Sequence, residues 1–333
     1  MKIIIPMAGI GKRMRPHTLT IPKPLIPVAG KPIVQHLVEG LIKSFDTVPE
    51  EIAFITGNFG EETEKKLLEI CHNLGIKGSI CYQNQALGTA HAILCAKKSL
   101  DGNVIVAFAD TLFKANFKID TQKDGIIWTY KVDNPSSFGV VTTNNHHRIT
   151  RFVEKPADFI SNEAIIGIYY FKDGKNLHNE LQSLVDNSQM KTGEYQLTDA
   201  LENMIKKDIG FYTQEVEEWL DCGNKDATVH TNQRVLEMMK DTELISPTSV
   251  IRNSVVKPPC YLGENVVIED CVIGPHVSVG KNTQIHNSII TNSILQENSR
   301  ISDANLDNSM IGNHVEYKGR FSELSIGDYT TLC

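Results

Sequence analysis

The stretch KIIIPMAGIGKRMRP, residues 2–16, joins a short aliphatic run to a glycine-containing loop that carries cations. An apolar run of this length, bounded by Ala8-Gly9, is typical of a buried parallel strand that ends in a tight loop. The loop Gly9-Ile10-Gly11 has neither the Gly-Lys-Ser/Thr ending of a P-loop nor the spacing of a dinucleotide-binding fingerprint. Glycines let backbone N–H groups approach an anion, and nearby cations neutralise phosphate. The stretch therefore predicts a phosphate-binding loop of another kind.

Cations are concentrated at the start of the chain. Six Lys or Arg residues precede the first acidic side chain, Glu39, whereas the whole protein carries a formal net charge of −7. Proteins that bind nucleic acid generally hold its phosphate backbone with clustered Lys and Arg. We therefore expect a local anion site on an acidic protein that has no nucleic-acid partner.

Length and composition indicate a globular protein. The chain has 333 residues, 41% hydrophobic and 22% charged, enough for roughly two domains of about 150 residues. We see no secretory signal and no apolar run near the roughly 20 residues that span a bilayer. The seven cysteines are scattered and lack Cys-x-x-Cys spacing. This pattern predicts neither a disulfide framework nor a zinc site. We expect a cytoplasmic protein with no membrane partner.

Strand and helix patterns alternate over the first part of the chain. Such βαβα alternation predicts an α/β fold with a mostly parallel sheet, helices on both faces and ligands at the carboxyl ends of the strands. The closer strands that follow suggest a β-rich insertion over the sheet. The predicted strands are 2–7, 51–56, 78–83, 103–108, 126–131, 139–143, 149–154 and 164–171. One helix is predicted to begin near residue 32, and the other predicted helices are 61–74, 89–98, 174–185, 195–207 and 225–239.

The composition changes after about residue 244, where Asn, Ser, Gly and β-branched residues dominate. A unit made of a polar residue, Ser or Cys, and two aliphatics recurs, and single aliphatics recur six apart, as at Leu262 and Ile268. A six-residue period grouped in threes predicts a triangular parallel β-helix of about five coils, in preference to a β-sandwich. The copies of the unit are 253–256, 270–273, 287–290, 292–295 and 308–311, the first three spaced by 17 residues.

The motifs of the first 240 residues, in their order, resemble those of the sugar-1-phosphate nucleotidylyltransferases. The first signature is long and specific, and the short later motifs gain weight from their order. The matching segments are 6–16, Pro22–Val28, Gly30–Pro32, Gln83 with Leu87–Ala90, Asp110, Phe138–Val140, Glu154–Pro156, Gly193-Glu194 with Thr198-Asp199, and Trp219–Gly223.

The resemblance implies a Rossmann-like catalytic domain over residues 1–240 and a left-handed β-helix of hexapeptide repeats over residues 245–333. It implies transfer of a nucleotidyl group from dTTP or UTP to a sugar-1-phosphate, with glucose-1-phosphate as the first expectation, giving an NDP-sugar and pyrophosphate. In-line transfer of this kind relies on positioning and on neutralisation of charge by cations and Mg²⁺.

The resemblance also assigns roles to particular residues. His91, between two alanines on a predicted helix, is expected to be a packed or exposed residue rather than a catalytic one. The implied catalytic residues are Arg13 for pyrophosphate, Lys23 for the α-phosphate and Lys155 for the sugar phosphate; the implied nucleotide-binding residues are Ala8, Gly9, Gly11, Gln83 and Gly88; Gly139 and Glu154 would bind the sugar, and Asp110 and Asp221 would hold Mg²⁺.

Several alternatives remain open at this stage. Within the class, the chain could be an N-acetylglucosamine-1-phosphate uridylyltransferase or a mannose-1-phosphate guanylyltransferase. The tail could add an acetyltransferase with His276, His286 or His314 as base, or the whole protein could be a non-catalytic regulatory homologue. We expect the tail to assemble a homo-oligomer, with residues 317–333 acting as a cap on the last coil.

Overall fold

The computed structural model describes residues 1–45, 47–116, 118–188, 190 and 193–319. The chain forms two compact units. The first combines Met1–Ile26 with Pro32–Gly223, and the second combines Pro27–Lys31 with the chain from Asn224 onward. The functional boundary between residues 240 and 245 stays a prediction.

The first part of the chain alternates strands and helices as the sequence predicts. The strands are β1 (Lys2–Pro6), β2 (Pro27–Val28), β3 (Lys31–Pro32), β4 (Glu51–Thr56), β5 (Lys77–Tyr82), β6 (Val104–Ala107), β7 (Thr111–Lys114), β8 (Gly125–Lys131), β9 (Gly139–Thr143), β10 (Ile149–Glu154), β11 (Glu163–Phe171), β12 (Phe211–Glu215) and β13 (Glu218–Asp221). The helices are α1 (Ile33–Lys43), α2 (Glu61–Asn73), α3 (Thr89–Leu94), α4 (Gly174–Asp186), α5 (Leu197–Lys206) and α6 (Lys225–Met238).

A nine-stranded sheet forms the centre of the first unit, in the order β10-β9-β11-β6-β1-β4-β5, with β8 pairing both β11 and β12. Strand β1 pairs in parallel with β4 on one side and with β6 on the other. Its residues Ile3, Ile4 and Ile5 are completely buried, because an interior parallel strand is covered on both faces. The aliphatic run that opens the sequence is explained by this position.

The β-rich segment after residue 125 does not lie over the sheet, which corrects the sequence-based expectation. Strands β8 to β11 extend the same sheet, and β11 runs antiparallel to β6. Seven of the nine residues of β11 are buried, on both sides of the strand, so this strand needs cover on both faces. Since β1 is parallel to β4 and β6 but β11 is antiparallel to β6, the sheet is mixed.

Five strands and one helix end in the first part of the chain differ from the sequence pattern. The strands β2, β3, β7, β12 and β13 are absent from the predicted elements, and β7 pairs with β13 as a separate antiparallel ribbon. Helix α3 ends at Leu94, four residues before the predicted end, and a 3-10 turn follows at Lys97–Ser99. Both features are short, and short elements carry little periodic signal.

The second unit contains three parallel sheets. Their orders are β14-β17-β20-β23-β26, β15-β18-β21-β24 and β16-β19-β22-β25, so that each strand pairs with the equivalent strand one coil later. This is the predicted left-handed β-helix. The strands are β14 (Val250–Arg252), β15 (Val255–Val256), β16 (Cys260–Leu262), β17 (Val267–Glu269), β18 (Val272–Ile273), β19 (Val277–Val279), β20 (Gln284–His286), β21 (Ile289–Ile290), β22 (Ile294–Leu295), β23 (Arg300–Ser302), β24 (Asn305–Leu306), β25 (Met310–Ile311) and β26 (Glu316–Lys318).

The repeated sequence unit occupies two different faces of this helix. The copies at 253–256, 270–273 and 287–290 lead into β15, β18 and β21, whereas those at 292–295 and 308–311 lead into β22 and β25. The spacing of paired residues falls from 17 to 16 after β21, since Ile273 pairs with Ile290 but Val279 pairs with Leu295. The lost residue comes from the corner between these faces.

The polar residue that opens each repeated unit is a corner residue. Asn253, Asp270 and Asn287 adopt positive φ angles of 45°, 55° and 43°, a left-handed conformation that Asn and Asp tolerate better than other non-glycine residues. A second corner forms a ladder, in which the side-chain amide of Asn265 donates to Asn282 at 3.2 Å and Asn282 donates to Asn298 at 3.1 Å. The polar residue of each repeated unit thus marks a corner of the β-helix.

No helix within the described ranges is long and apolar enough to cross a membrane. The predicted cap at 317–333 lies outside the described residues from 320 onward. Tyr317, the first residue of that segment, is in β26 and partly exposed.

Replacing Ile285 by Ala tests the packing of the β-helix. Ile285 is completely buried and stacks in register between Ile268 and Ile301, so we expect the change to cost about 2–5 kcal/mol of unfolding free energy. Ile289→Ala in the same coil is the control, because that side chain is 51% exposed. Scanning calorimetry of the full chain measures both, and equal melting shifts would contradict the assigned interior face.

Candidate active site

A cleft of about 460 Å³ opens where β1 and β6 end. Parallel strands place their carboxyl ends at one edge of the sheet, so the loops after them meet there. Seven of the residues singled out from the sequence line this cleft: Ala8, Gly9, Gly11, Arg13, Lys23, Gly88 and Asp110. Gln83 and Asp221 are not part of its lining but lie next to the lining residues Gly88 and Gly223. Gly139, Glu154 and Lys155 are not part of its lining either.

The loop after β1 is shaped by Gly11. Its φ of 64° is left-handed, and a short 3-10 turn, Lys12–Met14, begins directly after it. Thr18 donates its hydroxyl proton to the Gly11 carbonyl oxygen at 2.9 Å, and the buried Met14 anchors the turn. Around Gly9, by contrast, a Cβ atom would meet nothing within 4 Å. The loop is therefore held at Gly11 and open at Gly9.

An ion pair joins the loop after β1 to the end of β6. The Nζ atom of Lys23 lies 2.8 Å from Oδ2 of Asp110. Lys23 is only 8% exposed, and a buried ammonium group is stable only when a counter-charge is close. Asp110 keeps 42% of its side-chain surface exposed. The pair thus holds a cation and a partly accessible carboxylate at fixed positions in the cleft.

Asp221 reaches the same place from the β7-β13 ribbon. It pairs with Thr111 across the ribbon, and the next residue, Cys222, donates its amide proton to the Asp110 carbonyl oxygen at 3.0 Å. Burial, and secondly the charge of Asp110, raise the pKa of Asp221, while Lys23 and Arg13 act in the opposite direction. Two carboxylates and two cations therefore share one electrostatic environment.

The two carboxylates fit a Mg²⁺ ion. Mg²⁺ is commonly bound by one or two carboxylates and completes its shell with phosphate and water. Asp110 disfavours the charged form of Asp221, and a divalent cation would relieve that repulsion. Within the described part of the chain no group of three or more His, Cys, Asp or Glu suits a metal ion, so the pair would need substrate oxygens to complete the shell.

Gly88 lies where the chain approaches another segment very closely. A Cβ atom there would lie 2.5 Å from the Tyr195 carbonyl oxygen. The contact is made by two backbone hydrogen bonds, from Ala90 N–H to the Tyr195 oxygen at 2.9 Å and from Tyr195 N–H to the Leu87 oxygen at 2.8 Å. Gln83 contacts the same loop, since its Nε2 donates to the Gly88 oxygen at 3.2 Å.

The predicted sugar-binding residues form a second group. Gly139 and Glu154 pair across β9 and β10, and a Cβ atom on Gly139 would lie 3.1 Å from Glu154 Oε2. Lys155 follows with a positive φ of 41° and a side chain that is 65% exposed, its Nζ 3.7 Å from Glu154 Oε1. Tyr169 lies between this group and the cleft. Burial, and secondly the charge of Glu154, raise the pKa of Tyr169, and its ring packs edge-on against Phe108, which lines the cleft.

Further cleft residues were not singled out from the sequence. Glu194 stands in a motif that was recognised, but it carried no assigned role. Lys12 and Thr89 likewise stand within recognised motifs but carried no assigned role, and Phe108, two residues before Asp110, has no signal of its own. Adjacency to a glycine loop or to a strand end is the sequence feature that could have found them.

The three histidines of the tail, His276, His286 and His314, lie at corners of the β-helix or beside a carboxylate. His276 and His314 occupy left-handed corners of the β-helix, with φ of 61° and 57°. The Nε2 atom of His276 lies 2.6 Å from Oε1 of Glu237, and that of His286 lies 3.1 Å from Oε2 of Glu269. The fold accounts for each of these positions without a catalytic role.

Comparison with known proteins gives consistent matches. The nucleotidyl transferase family profile matches residues 2–238. The low-salt glycan biosynthesis nucleotidyltransferase of Haloferax volcanii is 28% identical, with 94% of this chain and 92% of that protein aligned. Glucose-1-phosphate thymidylyltransferase of Streptomyces antibioticus is 27% identical, with coverages of 95% and 93%. A UDP-glucose pyrophosphorylase solved with UDP-glucose superposes with a TM-score of 0.60 at 25% identity, over 71% of this chain and 98% of the other.

Gly88→Ala tests the close approach to Tyr195. The new Cβ would overlap the Tyr195 backbone at a left-handed φ of 109°, so we expect a loss of about 2 kcal/mol or more of unfolding free energy. Gly9→Ala is the matched control, expected to change that free energy by less than about 0.5 kcal/mol. Thermal and urea unfolding of both variants measure the difference. A Gly88→Ala protein as stable as the control would show that the loop is not held in this way.

Proposed function

The chain belongs to the sugar-1-phosphate nucleotidyltransferases of the nucleotidyl transferase family, and we propose that it makes a pyrimidine NDP-sugar. The donor in this proposal is dTTP or UTP and the acceptor is glucose-1-phosphate. The products are the NDP-sugar and pyrophosphate.

The convergence of Lys23, Asp110 and Asp221 beside the glycine loop is the observation that carries this proposal. Lys23 is buried against Asp110 at 2.8 Å, and Asp221 shares their electrostatic environment. The cleft supplies glycine backbone and cations for phosphates, and carboxylates for a metal ion. These are the groups that phosphoryl-group transfer requires. Their joint presence also argues against a regulatory homologue without activity.

The reaction replaces one bond at the α-phosphorus with another. An oxygen of the sugar phosphate forms a bond to the α-phosphorus, and the bond from that phosphorus to the oxygen bridging the β-phosphate breaks, so pyrophosphate leaves with the electron pair. The attacking phosphate oxygen is already ionised near neutral pH and pyrophosphate leaves as an anion, so no general base is needed. Arg13 would bind the departing pyrophosphate, Lys23 the α-phosphate and Lys155 the sugar phosphate. Their task is to align the reactants and to neutralise charge.

The remaining residues would orient the substrates. Ala8, Gly9 and Gly11 would present backbone N–H groups to the triphosphate, Gln83 and Gly88 would contact the base, and Gly139 and Glu154 would bind the sugar hydroxyls. Asp110 and Asp221 would hold Mg²⁺, which supplies positive charge against the phosphate oxygens.

Two similarities favour a pyrimidine nucleotide. One relative is a glucose-1-phosphate thymidylyltransferase, and one solved neighbour holds UDP-glucose. The uridylyl transfer to N-acetylglucosamine-1-phosphate and the guanylyl transfer to mannose-1-phosphate are the competing outcomes of the substrate test below. Self-association through the tail and a cytoplasmic location stay predictions. The aligned aliphatics Val255, Val272 and Ile289 on one outer face support the first of these.

Asp110→Asn and Asp221→Asn test the carboxylate pair. Each change removes a charge that would hold the cation, so we expect turnover to fall by about 100-fold or more at saturating Mg²⁺, with the melting temperature unchanged within a few degrees. Asp133→Asn, at an exposed loop position, is the control and should keep full activity. Pyrophosphate release gives the rate. Near-normal turnover in either variant would remove that residue from the metal site.

A panel of substrates tests the reaction itself. Pyrophosphate release is measured with four nucleoside triphosphates against glucose-1-phosphate, N-acetylglucosamine-1-phosphate and mannose-1-phosphate. We expect dTTP or UTP to exceed GTP and ATP by about tenfold or more in kcat/KM, a ratio that needs about 1.4 kcal/mol. A preference for GTP with mannose-1-phosphate would instead assign a guanylyltransferase. Thiol release from acetyl-CoA in the presence of an amino-sugar phosphate would assign a second activity, that of an acetyltransferase, to the protein.

A further inference from the structure

The side-chain amide of Gln83 is held by two partners. Its Nε2 atom lies 3.2 Å from the Gly88 carbonyl oxygen and 3.2 Å from Nδ1 of His91. Gln83 follows β5, and its own backbone N–H donates to the Thr56 oxygen at 2.9 Å. His91 lies in the first turn of α3, and the first residue of that helix, Thr89, lines the cleft together with the preceding Gly88. Two separate elements thus meet at this amide.

The chemistry of these partners fixes which way the amide faces. A carbonyl oxygen only accepts hydrogen bonds, so the nitrogen of the Gln83 amide, and not its oxygen, must face Gly88. The nitrogen has a second proton, which points to His91 Nδ1. That ring nitrogen must then be the unprotonated acceptor, with the ring proton on Nε2. Burial lowers the pKa of His91 and favours the neutral ring.

The orientation leaves the amide oxygen as the group that can meet a ligand. Both Nε2 protons are used by Gly88 and His91, and within the described residues no hydrogen bond to Oε1 is formed. An oxygen acceptor at this place recognises an N–H donor on the edge of a base. Uracil and thymine carry such a donor at N3, whereas cytosine carries an acceptor at its N3. A flipped amide would reverse this preference.

We propose that His91 is a positioning residue that fixes the Gln83 amide with its oxygen toward the base, and so makes the site select uracil or thymine over cytosine. The inference rests on the proposed function and deepens it, because it names the source of base selection. It assigns His91 no contact with the reacting atoms. Its effect passes through Gln83, so it should change the discrimination between bases more than the rate of the chemical step.

Three substitutions at His91, to Asn, Gln and Leu, separate this role from simple packing. Asn places its side-chain oxygen near the position of Nδ1 and can accept the same hydrogen bond, whereas Gln places its amide near the position of Nε2 and cannot. His91→Leu removes the acceptor altogether. His146→Leu is the control, because His146 is exposed in a loop. Melting curves establish that each full-length variant is folded.

The measurement is kcat and KM for dTTP, UTP and CTP with saturating glucose-1-phosphate and Mg²⁺. We expect His91→Leu and His91→Gln to lower the ratio of kcat/KM for the better pyrimidine to that for CTP by about tenfold, the order expected for one hydrogen bond. The loss should fall mainly on KM. His91→Asn should restore most of the ratio, and His146→Leu should leave it unchanged.

The outcomes are distinguishable. A wild-type enzyme that prefers GTP or ATP would overturn the proposed function and this inference with it. A wild-type enzyme that prefers dTTP or UTP, while the Leu and Gln variants keep the same ratio over CTP, would overturn the inference alone. If His91→Leu does not fold, the Asn and Gln pair decides, and equal ratios in those two variants count against the proposal.

Discussion

The parallel pairing of β1 between β4 and β6 is the constraint on which the first unit depends. It forces the loops after β1 and β6 to the same edge of the sheet. The ion pair between Lys23 and Asp110 then joins these two loops across 87 residues of sequence. Asp221 adds a third segment through the β7-β13 ribbon. Charge is thereby concentrated beside the glycine loop, at the place where we propose that the polyphosphate binds.

Uniform burial along an element is one signal from which its bounds can be predicted. Strand β4, for example, is buried at every residue, and its predicted bounds match the structure. Strands β7 and β13 belong to a small ribbon, and their mixed burial gives no clean period. The mixed pairing of β11 could not be predicted either, because a buried antiparallel strand and a buried parallel one have the same composition.

The site was predictable to the extent that it lies in short contiguous motifs. The glycine loop, Lys23 and Asp110 are recognisable from the residues around them, and they meet in one cleft. The role inferred for His91 has no such signal, because a histidine between two alanines on a helix looks the same whether it packs or positions a neighbour. That distinction depends on which atom faces which, as in the approach of Gln83 Nε2 to the ring, and such geometry exists only after folding.

The β-helix has a consequence for how its length can vary between related proteins. Among the described residues, each strand of the β-helix pairs only with the equivalent strands one coil before and one coil after it. Gain or loss of a whole coil therefore leaves the other strand pairings in register. A single residue added within a strand would turn its aliphatics outward. Between the described coils, the length difference falls at a corner, where Thr291–Ser293 replaces Gly274–Val277. Over evolutionary time such a domain can therefore gain or lose length in steps of one coil, while the sequence of the first unit stays unchanged.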